Sequence, residues 1–290
     1  MGDMTNMQEV YYPDNYTFNL SDFALFLSVM KNKKAYGYVL SIILNEPEVK
    51  MKEVKVEQVV LNGFGKRAIR LDAWGETDDN RQINMEMENH AEKDNMPKRA
   101  RYYQGLMDTP ILKSGKKTKY KQLPSTIIIF ITQEDIFKKD MARYTFTEQC
   151  EEIKGLHLED GTTKIFLNMS SKNGSKELVS LLQYMKNTRI DNPEIIVKDE
   201  RIVALDKIVT EVKESEEWEA VQMNILEIGL QQGLEQGMEK GKEIGKEIGD
   251  AQRLLKSVEN VMENLEVGVE EACAIIGASV EEYNKAKQEA

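Results

Sequence analysis

The composition of this 290-residue chain excludes two classes of protein. Its longest fully apolar run, 127–131, is far too short to span a membrane, and its two cysteines are too few for a disulfide framework. The net charge of −11 belongs to the C-terminal part, because residues 1–210 hold 31 acidic and 31 basic side chains whereas residues 211–290 hold 19 and 8. The total acidity is therefore no argument against a nucleic-acid partner. A polar N-terminus without a signal-peptide pattern predicts a cytoplasmic protein.

The first predicted elements are two helices and a strand. Residues 20–46 carry apolar side chains at helical spacing, with a break near Asn32. Asp22 lies at the start of the first helix, where it is read as the N-cap, with an accessory acid of a catalytic site as the alternative. Residues 53–60 alternate weakly between polar and apolar side chains and predict the first strand.

The stretch 69–88 predicts a β-hairpin that presents acidic side chains. Its turn, 78–80, reads Asp-Asp-Asn between two alternating segments. Successive side chains of a strand point to opposite faces, so burial of the methionines places Glu86 and Glu88 together on the other face. With Asp72 from the first strand they offer the oxygen ligands of a hard cation such as Mg²⁺, which phosphodiester hydrolysis requires. A solvated polar face is the alternative interpretation.

A basic segment follows the hairpin. From 93 to 121 the chain has nine Lys or Arg residues and two acidic residues. Arg99 and Tyr103 are four residues apart and share one helix face, where a guanidinium and a hydroxyl can grip phosphate oxygens. The alternative is that Tyr102 and Tyr103 pack in the core while Arg99 and Arg101 pair with surface acids.

Three further elements complete the predicted globular part. Residues 126–132 are apolar and β-branched without alternation, which predicts a strand buried on both faces at the centre of a sheet. Residues 163–169 predict another strand, and residues 176–187 an amphipathic helix. Helices alternating with strands around a buried strand indicate an α/β sandwich. The lysine-rich loop 113–121 is too polar to pack and is either a nucleic-acid contact or a solvated loop.

From about Ser215 the sequence predicts one long helix. Six glycines recur in it at four-residue intervals, and each costs about 1 kcal/mol of helix stability relative to alanine. The helix is either a self-associating element with close backbone approach or a solvated spacer. Residues 268–290 predict two short helices joined by a turn at 277–278, a hairpin that either packs or contacts DNA as a helix-turn-helix. The six glycines are Gly229, Gly233, Gly237, Gly241, Gly245 and Gly249.

Five segments carry a resemblance to a known family. The chain resembles the PD-(D/E)XK nuclease superfamily and, more narrowly, the recombination-promoting nuclease or putative transposase family of bacteria. The likeness covers roughly residues 20–250 and implies a restriction-endonuclease-like mixed sheet flanked by helices, with a long α-helical C-terminal tail. The segments are IRLDAW (69–74), INMEME (83–88), KRARYYQ (98–104), IIIFITQEDIF (127–137) and KIFLNM (164–169).

The resemblance assigns roles to the acidic residues. Asp72 matches the first acid of the motif and Glu86 the second, whereas the lysine position falls on Glu88. A lysine there would orient the attacking water and stabilise negative charge on phosphate. Glutamate instead ligates metal or accepts a proton, and the family admits other residues at this position, commonly glutamine. The basic helix is implied to lie beside the metal site, where Arg99, Arg101 and Tyr103 would position a phosphate backbone.

The predicted function is a Mg²⁺-dependent DNA endonuclease, with Mn²⁺ as the alternative metal. Two rival hypotheses remain: the same chemistry on RNA, and a degenerate nuclease fold, disarmed by Glu88, that binds DNA or a protein. Three modules are expected: a nuclease-like domain over 1–210, a Gly-repeat spacer or oligomerisation segment over 211–267, and a helical hairpin over 268–290. His90 continues the alternation of Glu86 and Glu88 and is either a site contact or an exposed strand-end residue.

Overall fold

The computed structural model describes residues 16–62, 66–112 and 119–289. Most of the loop predicted from the lysine-rich stretch 113–121 therefore lies outside the described residues. Within the described ranges the chain forms eight α-helices and six strands. They are, in chain order, α1 (Phe23–Met30), α2 (Lys33–Leu44), β1 (Met51–Val60), β2 (Ile69–Thr77), β3 (Gln82–Glu88), α3 (Met96–Asp108), β4 (Thr126–Thr132), β5 (Arg143–Phe146), β6 (Thr162–Asn168), α4 (Lys176–Lys186), α5 (Glu200–Lys213), α6 (Glu216–Leu265), α7 (Val269–Ile276) and α8 (Val280–Glu289).

The strands form one mixed sheet in the order β1-β2-β3-β4-β6-β5. The first three strands make an antiparallel meander, β4 runs parallel to both β3 and β6, and β5 pairs antiparallel with β6. Every residue of β4 is buried, as its unbroken apolar sequence predicted for a central strand. The hairpin turn is also confirmed, with Asn80 in the left-handed region at φ 62°.

Helices cover both faces of the sheet, which confirms the predicted α/β class. On one face α3 packs against Phe130 and Phe166 of the parallel strands. On the other face α2 contacts α1, α4, α5 and β1. Gly37 in α2 permits this approach, since a Cβ atom there would stand 2.5 Å from the carbonyl oxygen of Val49. The central strands β2, β3 and β4 are therefore largely buried, and a polar group on either of their faces needs a partner within the protein.

The N-terminal helix pair is confirmed with its break at the predicted position. Asn32 caps α2 by accepting hydrogen bonds from the backbone N–H groups of Lys34 and Ala35. Asp22 occupies the N-cap position of α1, but its side chain makes no capping bond to that helix. Its carboxylate accepts instead from the Tyr16 hydroxyl at 2.8 Å and from the backbone N–H of Asn19 at 2.7 Å. The capping role predicted for this side chain is wrong, because the preceding loop holds the carboxylate.

The chain divides into two compact units between Val221 and Gln222. The predicted boundary at residue 210 falls inside α5, so the division into three functional modules stays a prediction. The long helix is confirmed: α6 begins at Glu216, one residue after the predicted Ser215, and runs for 50 residues. Among the described residues no helix combines the length and the apolar character that a membrane crossing requires.

The predicted terminal hairpin is formed by α7 and α8, which pack with the end of α6. Val258, Ala272 and Cys273 are buried at the centre of this cluster. Gly277 ends α7 in the left-handed conformation at φ 76°. Ser279 then caps α8: its hydroxyl accepts from the N–H of Glu282, whose carboxylate accepts from the Ser279 N–H.

Tyr36 provides a test of how the meander is held. Its hydroxyl, which is fully buried, lies 2.9 Å from the carbonyl oxygen of Ala73 and 3.2 Å from that of Ile83. We expect Tyr36→Phe to lower the free energy of unfolding by about 1–2 kcal/mol, because the phenylalanine ring keeps the packing but leaves these buried carbonyls one donor short. Urea unfolding followed by tryptophan fluorescence measures the change.

The matched control is Tyr38→Phe, which removes a hydroxyl from a half-buried tyrosine of the same helix. It should leave the unfolding midpoint close to that of the wild type. Equal midpoints for Tyr36→Phe and the wild type would show that the buried hydroxyl contributes nothing to holding β2 against β3.

Candidate active site

The backbone ladder between β2 and β3 gives way to side-chain bonds at Asp72 and Glu86. Paired residues run from Glu76 opposite Gln82 to Ala73 opposite Met85. Beyond that point the Glu86 carboxylate accepts the backbone N–H of Asp72 at 3.0 Å, and the Asp72 carboxylate accepts that of Met87 at 3.2 Å. Each carboxylate thus bonds to the opposite strand, and the two are brought together between the strands.

Arg99 reaches this pair from α3. One terminal nitrogen of its guanidinium donates to Glu86 at 2.9 Å, and the other donates to Glu88 at 2.6 Å. Its Nε donates to the Tyr103 hydroxyl at 3.1 Å. The guanidinium carbon lies 5.1 Å from the centre of the Tyr103 ring and 5.4 Å from that of Phe130, so the cation is held between aromatic faces as well.

The position of Arg99 follows from how α3 begins and packs. Asn95 caps the helix by accepting from the N–H of Lys98, and Pro97 lies in the first turn. Ala100 and Met107 are buried against the sheet, which fixes the rotation of the helix about its axis. Arg99, one residue before Ala100, then points to the ends of the acidic strands.

Burial raises the pKa of the two central acids. The pKa of Asp72 lies well above its usual value, first because the group is buried and second because Glu86 is close. Burial likewise raises the pKa of Glu86, while the charge of Arg99 opposes the rise. Burial, together with the charge of Glu86, also raises the pKa of Tyr103 to about 12. The guanidinium of Arg99 is thus a cation that acts on three carboxyl groups, those of Asp72, Glu86 and Glu88.

A family comparison finds a match that covers most of the chain. The model of the family described as PD-(D/E)XK nuclease family transposase matches residues 20–225. The chain belongs to this family. No curated protein and no solved structure matches it. Family membership supports a phosphodiester hydrolase and a nucleic-acid substrate, and the six-stranded mixed sheet flanked by helices is consistent with the PD-(D/E)XK fold.

Five of the residues predicted from the sequence for a catalytic site lie in one connected cluster. Asp72, Glu86, Glu88, Arg99 and Tyr103 are linked by the contacts described above. The sequence pattern placed the two glutamates on a common face, whereas the contacts of Arg99 depend on how the nuclease fold packs α3 on the sheet.

Other predicted residues lie at the margin of the cluster. Arg101 is exposed on α3, and His90 lies 3.5 Å from Glu92. Tyr102 is partly exposed, and its hydroxyl donates to the backbone carbonyl of Arg67, so it does not pack in the core as one interpretation supposed. Tyr103 does pack in the core, with 9% of its surface exposed.

Asn84 also belongs to the cluster, although the sequence pattern assigned it no role. It is fully buried, and its side-chain amide donates to Glu86 at 2.7 Å. Its side-chain oxygen is buried without a hydrogen-bond partner in the described structure. The signal was present in the alternation of β3, since Asn84 precedes Glu86 by two residues and therefore shares its face.

The donor set suits a hard cation in part. The described ranges contain no group of three or more His, Cys, Asp or Glu side chains arranged to hold a metal ion. Asp72 and Glu86 nevertheless form a pair of carboxylates whose charge Arg99 only partly offsets. Mg²⁺ is commonly held by one or two carboxylates, with water and phosphate oxygens as its other ligands. The residues therefore fit such an ion as a two-carboxylate site.

The raised pKa of Asp72 has a consequence for stability. Above the ordinary value of 3.8 the unfolded chain loses this proton while the folded protein keeps it. Stability should therefore fall as the pH rises toward the raised pKa of the folded state. Asp72→Asn removes the buried charge, and we expect it to raise the melting temperature at pH 8 in EDTA by about 2–8 °C, equivalent to about 1–2 kcal/mol.

Thermal melts in EDTA between pH 5 and 9 test this expectation. Asp78→Asn, in the exposed turn of the same hairpin, is the matched control and should follow the wild-type curve. If the melting temperature of Asp72→Asn falls with rising pH as steeply as that of the wild type, the pH dependence does not come from this carboxyl group.

Proposed function

We propose that this protein is a Mg²⁺-dependent DNA endonuclease, with Mn²⁺ as the alternative metal. The observation that supports it best is the pair of bonds by which Asp72 and Glu86 bridge β2 and β3. Backbone hydrogen bonds would pair these strands without burying any carboxylate. Two buried acids at this position therefore support a binding site for a cation. Its location, in a fold whose family comprises nucleases, makes phosphodiester hydrolysis the reaction.

Each group of the site has a proposed task. Asp72 and Glu86 hold the metal, and Glu88 completes the acidic set. A bound divalent ion would supply an activated water and neutralise charge on the scissile phosphate. Arg99, with Tyr103 beside it, positions a phosphate oxygen next to the acids, and Arg101 on the exposed face of α3 contacts the flanking phosphate backbone of the substrate.

A cytoplasmic location accords with Cys150 and Cys273 both being free thiols.

Cleavage of supercoiled plasmid DNA tests the proposal. The wild type should nick or linearise the plasmid with Mg²⁺ and leave it intact with EDTA. Asp72→Ala should abolish cleavage, because it removes a proposed metal ligand. Asp78→Ala, which deletes an exposed carboxylate of the same hairpin, should cleave as the wild type does.

Two outcomes contradict the endonuclease. Cleavage that continues in EDTA or in Asp72→Ala would place the activity elsewhere. Absence of plasmid cleavage by folded protein would favour RNA as substrate if single-stranded RNA is cut instead. If neither is cut, a degenerate nuclease fold that binds DNA or a protein becomes the better hypothesis.

We also propose that α6 self-associates. Met223, Leu226, Leu234 and Ile248 lie within about 80° of one another around an ideal helix, and all four are exposed. The opposite face carries charged residues of both signs, together with the exposed Ile228. A Cβ atom on Gly241, beside this stripe, would meet no other atom within 4 Å. An exposed apolar stripe on a glycine-rich helix is stabilised when a second copy of the same stripe covers it.

Light scattering coupled to gel filtration measures the oligomeric state. Leu234→Glu places a charge in the stripe and should shift the protein toward the monomer mass. Lys246→Glu, on the opposite face, is the matched control and should keep the wild-type mass. A monomeric wild type at about 100 µM, a concentration at which even weak interfaces are populated, would support the spacer interpretation instead.

A further inference from the structure

Glu88, which occupies the lysine position of the motif, contacts a positively charged side chain from α3. Glu88 stands where a lysine would stabilise charge on the phosphate. Its Oε2 atom accepts from a terminal nitrogen of Arg99 at 2.6 Å. Its Oε1 atom accepts from the backbone N–H of His90 at 3.1 Å. Both oxygens of Glu88 are therefore used by the protein itself, one to hold the side chain and one to hold a guanidinium.

Asp72 differs from Glu88 in this respect. Only one of its oxygens, Oδ2, accepts a hydrogen bond within the described structure, from Met87. The other oxygen is available for a ligand. Glu86 resembles Glu88 here, because its Oε1 atom accepts from the Asp72 N–H and the Asn84 amide and its Oε2 atom accepts from Arg99. Glu86 is nevertheless kept as a ligand because the proposed function pairs it with Asp72, with which it shares the junction of β2 and β3.

Arg99 retains donors for a substrate. A guanidinium has five N–H groups, and the bonds to Glu86, Glu88 and Tyr103 use three of them. One N–H on each terminal nitrogen has no partner in the part of the chain that the structure describes. The side chain is 24% exposed, so these two donors lie within reach of a molecule in solution. N–H donors of a guanidinium are well suited to the oxygens of a phosphate group.

We propose that Arg99 supplies the positive charge that position 88 lacks, and that Glu88 is the positioning residue that holds it there. This assignment rests on the proposed nuclease function and refines it: Asp72 and Glu86 would bind the metal, whereas Glu88 would act through Arg99. The guanidinium stabilises charge on the scissile phosphate through its two remaining donors. Its stacking on Tyr103 and Phe130 keeps it in place without substrate.

Metal binding without substrate distinguishes a ligand from a positioning residue. Calorimetric titration of the folded protein with Mn²⁺ compares Glu86→Gln with its matched control, Glu88→Gln. We expect Glu86→Gln to weaken the affinity about tenfold or more, and Glu88→Gln to leave it near the wild-type value. Arg99→Gln should bind the ion at least as tightly as the wild type, because a neighbouring positive charge has been removed.

Cleavage kinetics test the charge itself. Arg99→Gln should lower kcat about a hundredfold with a much smaller change in KM, and Arg99→Lys should retain more of the rate. The double variant Glu88→Lys, Arg99→Gln restores a cation at the motif position and should recover at least about a tenth of the lost rate. Circular dichroism and thermal melts confirm that each variant is folded.

The outcomes separate this inference from the proposed function. If the wild type neither binds Mn²⁺ nor cleaves, the proposed function fails and the inference fails with it. If the wild type does both, three results would overturn the inference alone: Glu88→Gln binds the ion as weakly as Glu86→Gln, Arg99→Gln keeps the wild-type kcat, or the folded double variant is no faster than Arg99→Gln.

Discussion

The exchange of backbone bonds for carboxylate bonds between β2 and β3 determines the rest of this site. Asp72 and Glu86 each accept an N–H from the opposite strand, which satisfies those amides although the ladder has stopped. Two buried carboxylates therefore join the strands at the point where the ladder between them ends. Arg99 supplies the counter-charge, and its guanidinium lies against the rings of Tyr103 and Phe130.

The charge balance of the cluster favours a functional role for it over a purely structural one. Burial opposes ionisation of Asp72 and Glu86, and Arg99 reverses only part of this effect on Glu86. A fold that needed these positions only for stability would carry apolar residues there, because removing the charges relieves desolvation. Buried acids that lower the stability of the fold are typical of active sites. There the carboxylates bind a cation or stabilise charge in a transition state. The same reasoning applies to the unpaired side-chain oxygen of Asn84.

Local patterns in the sequence predicted the helices and strands but not how these elements pack against one another. The alternation of β3 and the turn residues predicted the hairpin and the common face of Glu86 and Glu88. The alternative interpretation of this face as a solvated polar one is wrong for Glu86, which is fully buried. The reason is that α3 covers it. A period of two shows which side chains share a face, but both faces of the central strand β3 are buried. The sequence alone does not show which helix packs on either face.

The contact between Arg99 and the acids illustrates the same limit. Its four-residue spacing to Tyr103 was visible in the sequence and is confirmed by their hydrogen bond. Its bonds to Glu86 and Glu88 join residues 13 and 11 positions apart on different elements, so they depend on the rotation of α3 against the sheet. Periodicity within one element contains no information on that rotation.

The long helix shows that a repeat in the sequence and a stripe on a surface need not coincide. A four-residue step advances about 400°, so the glycines drift about 40° per repeat around the axis. The apolar residues do not drift as far, because their place in the repeat changes. Leu234 and Met238 each follow a glycine, whereas Ile248 precedes one. This change turns the stripe back by about 80° from Met238 to Ile248 and returns it toward Leu226. Four exposed apolar residues thus stay within about 80° of one another while the glycines turn by about 200° around the axis, whereas the exposed Ile228 lies on the opposite face.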